Sequence, residues 1–293
     1  MRVHESCFWE NFSEPPSTMF RNFFPSLLLV FSAFFNGCLP TPSSGSGSVD
    51  FTESKHVVFT SEKWPAKLVA DLYKPTAQKP TPAVLLVHGG GWNKTERRSD
   101  MTGIAKDLAK RGYFVMNTTY RLTPDWKFPA QAEDMSEAIR YMRRNAKALN
   151  IAPDRIATFG YSAGGHLAAL AGLDPKNNVK TVVAGGAPSD LSLWTDGKLT
   201  GLLLGGPLKG NEEIYREASP VSYVRKDSPP VFIYHGTTDT LVSLEHPKAL
   251  ISKLEKYGVK HEVYWIEGRS HILTHLFSAE AIPKAIDFLD KNL

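Results

Sequence analysis

The chain has little cysteine, and what it has lies outside the region with folding signals. Of its 293 residues only Cys7 and Cys38 are cysteines, and alternating strand and helix patterns begin near residue 51. No disulfide can therefore cross-link the folded region, and no cysteine in that region can serve as a nucleophile. The histidines and cysteines form no group with metal-ligand spacing, so we expect neither a metal nor another cofactor.

The chain also lacks concentrated positive charge. Its formal net charge is +4, which is modest for its length, and it contains no long basic run. The segment 129–148 carries Arg140, Arg143 and Arg144 beside apolar residues at helical spacing, which favours a solvated helix face over a binding site. We therefore expect no nucleic-acid partner.

No apolar run is long enough to cross a bilayer, and the longest one is typical of an export signal. It covers residues 23–35, which is too short for a spanning helix but suits the central part of a signal peptide. A small residue, Gly37, then precedes Cys38, and this pattern resembles a bacterial lipoprotein signal. Cys38 would be the lipidated first residue, although Phe35 stands where such signals usually have leucine. Simple secretion is the alternative.

These features divide the chain into three segments. Residues 1–38 form the predicted signal, 39–50 a flexible linker rich in serine and glycine, and 51–293 one folded domain. Acidic residues before Met19 are unusual for a signal, so Met19 is a second candidate start. We expect export, to the outer membrane or periplasm as a lipoprotein and otherwise by secretion. Membrane contact would be made only through the lipid anchor.

Strand-like and helix-like patterns alternate along the domain. This alternation predicts an α/β fold with a mostly parallel central sheet that helices cover on both sides. Between Gly185 and Pro230 the pattern is irregular, and Trp194, Tyr215 and the run 202–206 would form a small cap over a pocket or pack at the sheet edge. The predicted strands are 83–88, 113–119, 155–159, 179–184, 230–235 and 261–266, and the predicted helices are 98–111, 129–148, 246–257 and 280–292.

The most informative segment is the hexapeptide GYSAGG at residues 160–165. It lies between a strand pattern and a helix of small residues. A serine at such a turn has a strained backbone that lifts its hydroxyl clear of the sheet, and Gly160 and Gly164 avoid collisions with neighbouring elements. Ser162 is therefore the candidate nucleophile.

A serine hydroxyl needs a base, and the base needs an orienting acid. Among nine histidines, His271 fits best because it stands in a loop after the strand 261–266, where catalytic groups gather in open α/β sheets. His275 is its competitor. Asp239 also follows a strand and lies between serine and histidine in chain order, whereas Asp190 follows a strand too early.

A glycine-rich turn after the strand 83–88 supplies candidate oxyanion donors. The string HGGGW at residues 88–92 lets consecutive backbone N–H groups point at one place. A lysine and a threonine follow and suggest a phosphate-binding loop, but that motif needs glycine where Asn93 and His88 stand. The nucleotide-binding interpretation therefore fails.

Four motifs in this order resemble the α/β-hydrolase fold. They are HGGGW, GYSAGG, HGTTD and the late GRSH, and the similarity runs from about Lys55 to the C-terminus. More narrowly, the chain is similar to the esterase/lipase branch that includes hormone-sensitive-lipase-like carboxylesterases and small acetyl-xylan and feruloyl esterases. The resemblance implies that the N–H groups of Gly90, Gly91 and Ala163 bind the oxyanion. Arginine and serine before His271 depart from the small residues that relatives often carry there.

The resemblance also implies a reaction. A serine hydrolase of this kind would cleave carboxylic esters of short acyl chains through an acyl-enzyme, with Ser162, Asp239 and His271 as its triad. The irregular segment is too short for a large lid, which favours short acyl chains or soluble esters. The resemblance implies small-molecule or carbohydrate-linked esters, with acetyl or feruloyl groups, as the partners. The HGGGW form is also similar to aryl-formamide hydrolases, and a peptidase with the same triad is a further alternative. A non-catalytic binding protein on this scaffold would typically lack a triad member.

Overall fold

The computed structural model describes residues 48–93, 96–194, 197–276, 278 and 280–293. The predicted signal with Cys38 and the linker up to residue 47 lie outside the described residues, so both stay predictions. Residues Ser46–Leu293 form one compact unit. No described helix is long and apolar enough to cross a membrane.

An eight-stranded sheet runs through the described region. Its strands are β1 (Phe51–Val58), β2 (Val69–Pro75), β3 (Thr81–Val87), β4 (Phe114–Thr118), β5 (Ile151–Tyr161), β6 (Thr181–Gly185), β7 (Val231–Gly236) and β8 (His261–Ile266). Their order across the sheet is β1-β2-β4-β3-β5-β6-β7-β8. The six strands from β4 to β8 in this order are parallel, whereas β2 is antiparallel to both β1 and β4.

Helices cover both faces of the sheet. They are α1 (Thr102–Lys110), α2 (Ala130–Arg144), α3 (Ala146–Leu149), α4 (Ala163–Leu173), α5 (Lys198–Leu204), α6 (Glu212–Glu217), α7 (Glu245–Lys256), α8 (His271–Leu276) and α9 (Ala281–Asn292). Met135, Leu167 and Leu250 bring α2, α4 and α7 into one apolar core. Leu108 and Phe288 bring α1 and α9 into a second one.

The central strand β3 shows why its sequence is apolar throughout. Leu85 and Val87 belong to one core, and Val84 and Leu86 belong to the other. All four are fully buried, because alternate residues of a parallel strand face opposite helical layers.

The predicted α/β architecture is confirmed, with differences at several elements. The predicted helix 129–148 is interrupted at Asn145, whose φ of −102° and ψ of 14° are not helical. Its side-chain amide donates a hydrogen bond to the carbonyl of Tyr141 at 2.9 Å. Strand β2 was not among the predicted strands. The irregular region contains the short helices α5 and α6. His271 was expected in a loop, but it begins the short helix α8, so that expectation was wrong.

The sheet brings four chain segments to one edge. Strands β3, β5, β7 and β8 are parallel, so their carboxyl ends lie at the same side of the molecule. The glycine turn follows β3, Ser162 follows β5, Asp239 follows β7 and His271 follows β8.

Candidate active site

Ser162 occupies a strained turn between β5 and α4. Its φ of +56° and ψ of −125° lie in a region that residues with side chains rarely adopt, at a cost of roughly 1–3 kcal/mol. The turn is tied down on both sides, because the Ser162 N–H donates to the carbonyl of Gly185 at 2.8 Å and its own carbonyl accepts from the His166 N–H at 2.9 Å. The strain is therefore held in place by the sheet and by the first turn of the helix.

The glycines around Ser162 let backbone segments approach closely. A Cβ at Gly164 would lie 2.7 Å from the carbonyl carbon of His88 and closer still to the carbonyl oxygens of His88 and Val87. A Cβ at Gly160 would collide with the carbonyl of Gly164. The expectation that these two positions exclude a side chain is therefore confirmed.

A chain of hydrogen bonds joins Ser162, His271 and Asp239. The hydroxyl oxygen of Ser162 lies 2.8 Å from Nε2 of His271, and Nδ1 of His271 lies 2.6 Å from Oδ2 of Asp239. The other carboxylate oxygen, Oδ1, accepts from the N–H groups of Leu241 and Val242 at 3.0 and 2.8 Å. Since a carboxylate accepts from Nδ1–H, Nε2 is left facing the hydroxyl as an acceptor, which is the arrangement a general base needs.

The acid of this group is buried and stays ionised. Burial raises the pKa of the Asp239 carboxyl, but hydrogen bonds from His235 and His271 outweigh it and hold the pKa well below its ordinary value. Asp239 is therefore negatively charged at neutral pH and can stabilise a positive charge on His271.

The competing candidates take no part in this chain of hydrogen bonds. His275 stacks on the ring of Tyr161 with 4.9 Å between centroids, and burial lowers its pKa. Asp190 accepts from the N–H of Ser192 and caps a short turn there. The structure brings together Ser162, His271 and Asp239, and it places neither alternative in that chain.

The glycine turn runs directly beside Ser162. A Cβ at Gly89 would lie 3.3 Å from Cβ of Ser162, which is closer than ordinary van der Waals contact, so the turn leaves little room for a side chain there. Gly90 and Gly91 have φ of +109° and +63°, conformations that favour glycine. Both glycines line the same cavity as Ser162, together with Ala163 at the first position of α4.

His88 braces this turn. Its Nδ1 lies 2.7 Å from the carbonyl oxygen of Gly89, and its ring stacks on Tyr120 with centroids 4.6 Å apart. The hydroxyl of Tyr120 in turn donates to the carbonyl of His88 at 3.1 Å. Burial lowers the pKa of His88, so the ring is neutral at neutral pH and serves packing and hydrogen bonding.

A cavity of about 1100 Å³ opens above the serine. Its floor contains Ser162 and His271, and its wall includes Trp194 and Leu199 from the irregular segment. Tyr215 is fully buried in the core, so it does not belong to a cap. The polar and apolar side chains at the rim of the cavity are Arg97, Asp100, Lys198, Leu241, Ile272 and Leu276.

Two residues that contact the site were not predicted as site residues, although they lie in the motifs GYSAGG and HGTTD. Tyr161 donates its hydroxyl to the carbonyl of His271 at 2.6 Å, but its position in the motif accepts any residue type. His235 lies 3.3 Å from Oδ2 of Asp239, and only its place at a strand end was evident. Within the described ranges, no group of three or more histidine, cysteine, aspartate and glutamate side chains could hold a metal ion.

Similar proteins support the fold and identify the family. The esterase LipC of Mycobacterium tuberculosis is 27% identical over 234 residues, which cover 72% of this chain and 58% of LipC. This chain therefore spans little more than half the length of that relative. A truncated carbohydrate esterase from gut microbiota has a TM-score of 0.75 at 23% identity, over 84% of this chain and 97% of the other.

A bifunctional GH43-CE protein of Bacteroides eggerthii has a TM-score of 0.74 at 25% identity, over 82% of this chain and 35% of that protein. These likenesses and the sheet order establish an α/β-hydrolase fold. Residues 70–254 match the sequence profile of the BD-FAE family, which is more than half of the chain. The chain therefore belongs to the BD-FAE family.

Proposed function

We propose that this protein hydrolyses carboxylic esters through an acyl-enzyme on Ser162. The observation that carries the proposal is the hydrogen-bonded chain from Ser162 through His271 to Asp239, with distances of 2.8 and 2.6 Å, at the floor of an open cavity. A serine in hydrogen-bond contact with a histidine that a carboxylate orients is the arrangement of nucleophilic acyl transfer. The esterase activity named for LipC supports the same reaction.

In the first step the Ser162 oxygen attacks the ester carbonyl carbon. His271 takes the hydroxyl proton on Nε2 as the new C–O bond forms, and Asp239 stabilises the imidazolium through Nδ1–H. The carbonyl π electrons move to oxygen, which becomes an oxyanion. When the tetrahedral intermediate collapses, the bond to the alcohol breaks and His271 gives its proton to the departing alcohol.

In the second step water repeats the attack on the acyl-enzyme. His271 takes a proton from the water, and it returns a proton to Ser162 when the acid leaves. We assign stabilisation of both oxyanions to the N–H groups of Gly90, Gly91 and Ala163, because all three line the cavity at Ser162. Ala163 adds the positive end of the α4 dipole, since it is the first residue of that helix.

The cavity supports a small acyl group on a larger, polar alcohol. Its volume of about 1100 Å³ exceeds the need of a simple short-chain ester, which leaves space for a sugar. Trp194 offers an aromatic face, and Arg97, Asp100 and Lys198 offer donors and acceptors for hydroxyl groups. We therefore propose esters of acetyl or feruloyl type on carbohydrate as the substrate class. The carbohydrate esterase from gut microbiota shares the fold and is named for that class.

The first test is hydrolysis of p-nitrophenyl acetate, butyrate and octanoate. We expect the rate to fall with chain length and to disappear in Ser162→Ala, because the alanine has no nucleophile; losses of this kind reach roughly a million-fold. Ser252→Ala is the matched control, since Ser252 is exposed on α7, away from the cavity. Activity that survives Ser162→Ala would refute the assignment of the nucleophile, and a folded wild-type protein without activity would favour a formamide or peptide bond.

Acetylated xylan then tests the carbohydrate part of the proposal, and methyl ferulate tests the feruloyl group. We expect release of acetate or ferulate with a higher kcat/KM than for p-nitrophenyl butyrate. A preference for simple aryl esters over acetylated xylan would contradict an acetyl ester on carbohydrate, and a preference over methyl ferulate would contradict a feruloyl ester. Both outcomes would leave the reaction in place.

We also propose that residues 1–38 direct export and that Cys38 carries a lipid. The support is the apolar run before Gly37 and Cys38 and the serine- and glycine-rich stretch after them. Labelling of the expressed protein with a fatty acid, compared with Cys38→Ser, tests it. Incorporation that is equal in both proteins would refute lipidation at this cysteine.

A further inference from the structure

His235 lies at the end of β7, fully buried, and contacts the acid of the proposed triad. Its Nε2 is 2.8 Å from the carbonyl oxygen of Val242 and 3.3 Å from Oδ2 of Asp239. Both neighbours of Nε2 are acceptors, so this nitrogen carries a proton and donates. The other ring nitrogen, Nδ1, has no hydrogen-bond partner among the residues that the structure describes.

These contacts close a ring of hydrogen bonds around the carboxylate. Oδ1 of Asp239 accepts from the N–H of Val242 at 2.8 Å, the carbonyl of the same Val242 accepts from His235, and His235 also faces Oδ2. One oxygen is therefore fixed by the turn and the other by the histidine. Rotation of the carboxylate about its Cβ–Cγ bond would break at least one of these contacts.

The ring determines how Asp239 meets His271. Oδ2 is the oxygen that lies 2.6 Å from Nδ1 of His271, and it is also the oxygen that His235 approaches. Because the side chain of Asp239 is fully buried, water does not provide a substitute donor. The hydrogen bond from His235 also contributes to the lowered pKa of Asp239.

A purely space-filling role does not account for this residue. A buried ring nitrogen without a partner is costly, and an apolar side chain of similar size would avoid that cost. The place of Nε2 between Val242 and Asp239 gives the histidine a specific contact that no apolar residue could make.

We propose that His235 is a positioning residue that fixes the carboxylate of Asp239 toward His271, and this rests on the proposed triad. It touches neither the cavity nor the serine, so it acts on the reaction through Asp239. Its removal should lower kcat, which depends on the orientation of His271, and should leave KM for a small ester nearly unchanged.

The test compares His235→Leu with His235→Gln. Loss of a hydrogen bond to a charged group predicts a fall of about tenfold to a hundredfold in kcat for His235→Leu. The amide of glutamine can reach the place of Nε2 and donate there, so His235→Gln should recover most of the loss. His246→Leu is the matched control, because His246 is equally buried and bonds through neither ring nitrogen to a described residue. Its kcat should stay close to that of the wild type.

A second readout separates this proposal from the substrate question. A fluorophosphonate probe reacts with an activated serine whatever the natural ester is, and its labelling rate should fall in the same order as kcat. If no ester is cleaved but Ser162 is labelled, the proposal of an ester substrate is refuted. The labelling rates of the His235 variants then still report on the role of His235. Melting temperatures confirm that each variant is folded, and His235→Asn replaces His235→Leu if the latter does not fold.

The proposal is overturned if folded His235→Leu keeps the kcat and labelling rate of the wild type. It is also overturned if His235→Gln is no better than His235→Leu, or if His246→Leu loses as much kcat. A loss seen only in KM would place His235 in substrate binding and refute the positioning role.

Discussion

Replacement of Gly160 by alanine tests whether the turn at Ser162 depends on the close approach of two backbone segments. A Cβ at Gly160 would lie 2.8 Å from the amide nitrogen of Gly165 and closer still to the carbonyl of Gly164. Ordinary contact begins at 3.4 Å, so relief of the first contact alone requires a shift of about 0.6 Å, and the carbonyl requires more. The first turn of α4 must therefore move, and Ser162 moves with it.

Two consequences can be measured. A misplacement near 1 Å in an active site can cost roughly a hundredfold in turnover, so we expect kcat of Gly160→Ala to fall by about that factor. Overpacking should lower the free energy of unfolding by about 1–3 kcal/mol. The assays are urea denaturation and initial rates with p-nitrophenyl acetate.

Gly103→Ala is the control for glycine replacement as such. Gly103 lies in α1, and a Cβ there meets nothing within 4 Å. Alanine is the better helix former, so the free energy of unfolding of this variant should rise by up to about 1 kcal/mol, and its kcat should equal that of the wild type. Wild-type stability and kcat in Gly160→Ala would refute the argument, since they would mean that the turn accommodates a side chain.

Three further outcomes follow from buried charged and titratable groups. Asp239→Asn should lower kcat by about four orders of magnitude at neutral pH, in steady-state assays, because a neutral amide favours the wrong tautomer of the base. Burial lowers the pKa of His166 to about 4 from 6.5, so the unfolded chain binds a proton that the folded chain does not. The contribution of His166 to the free energy of unfolding is complete above pH 6.5 and is lost as the pH falls toward 4, by up to about 3 kcal/mol. Urea denaturation at several pH values should show a smaller loss in His166→Gln. Arg121→Met should lower the free energy of unfolding by about 3–5 kcal/mol in urea denaturation, because it removes the positive charge that lies 2.8 Å from buried Asp134. Arg216→Met, in an exposed pair, should change the free energy of unfolding little.

The elements that were predictable from the sequence are those that local chemistry determines. The spacing of Gly160, Ser162 and Gly164 predicts a sharp turn between a strand and a helix, and the structure has that turn. Strand 261–266 was predicted with the bounds that the structure gives it, because it contains no glycine or proline and glycines stand shortly before and after it, at Gly258 and Gly268. The juxtaposition of Asp239 and His271 followed from the rule that parallel strands end at one edge.

The remainder depends on contacts between distant segments. His271 begins a six-residue helix, and so short an element has little propensity of its own. His235 and Tyr161 contact the site only because β5, β7 and α8 meet in three dimensions. Both lie in the motifs GYSAGG and HGTTD, but neither motif predicts which groups their side chains contact.

The contact between Tyr161 and His271 links the turn that carries the nucleophile to the residue that serves as the base. Tyr161 precedes Ser162 directly, its hydroxyl donates to the carbonyl of His271 at 2.6 Å, and its ring lies 5.1 Å from the imidazole. The space for the ring exists because Gly186 has no side chain, since a Cβ there would lie 2.8 Å from the ring. A displacement of the turn therefore moves the nucleophile and pulls on the backbone of the base at the same time. For this reason the fall in kcat of Gly160→Ala should exceed that of a variant that displaces only Ser162 or only His271.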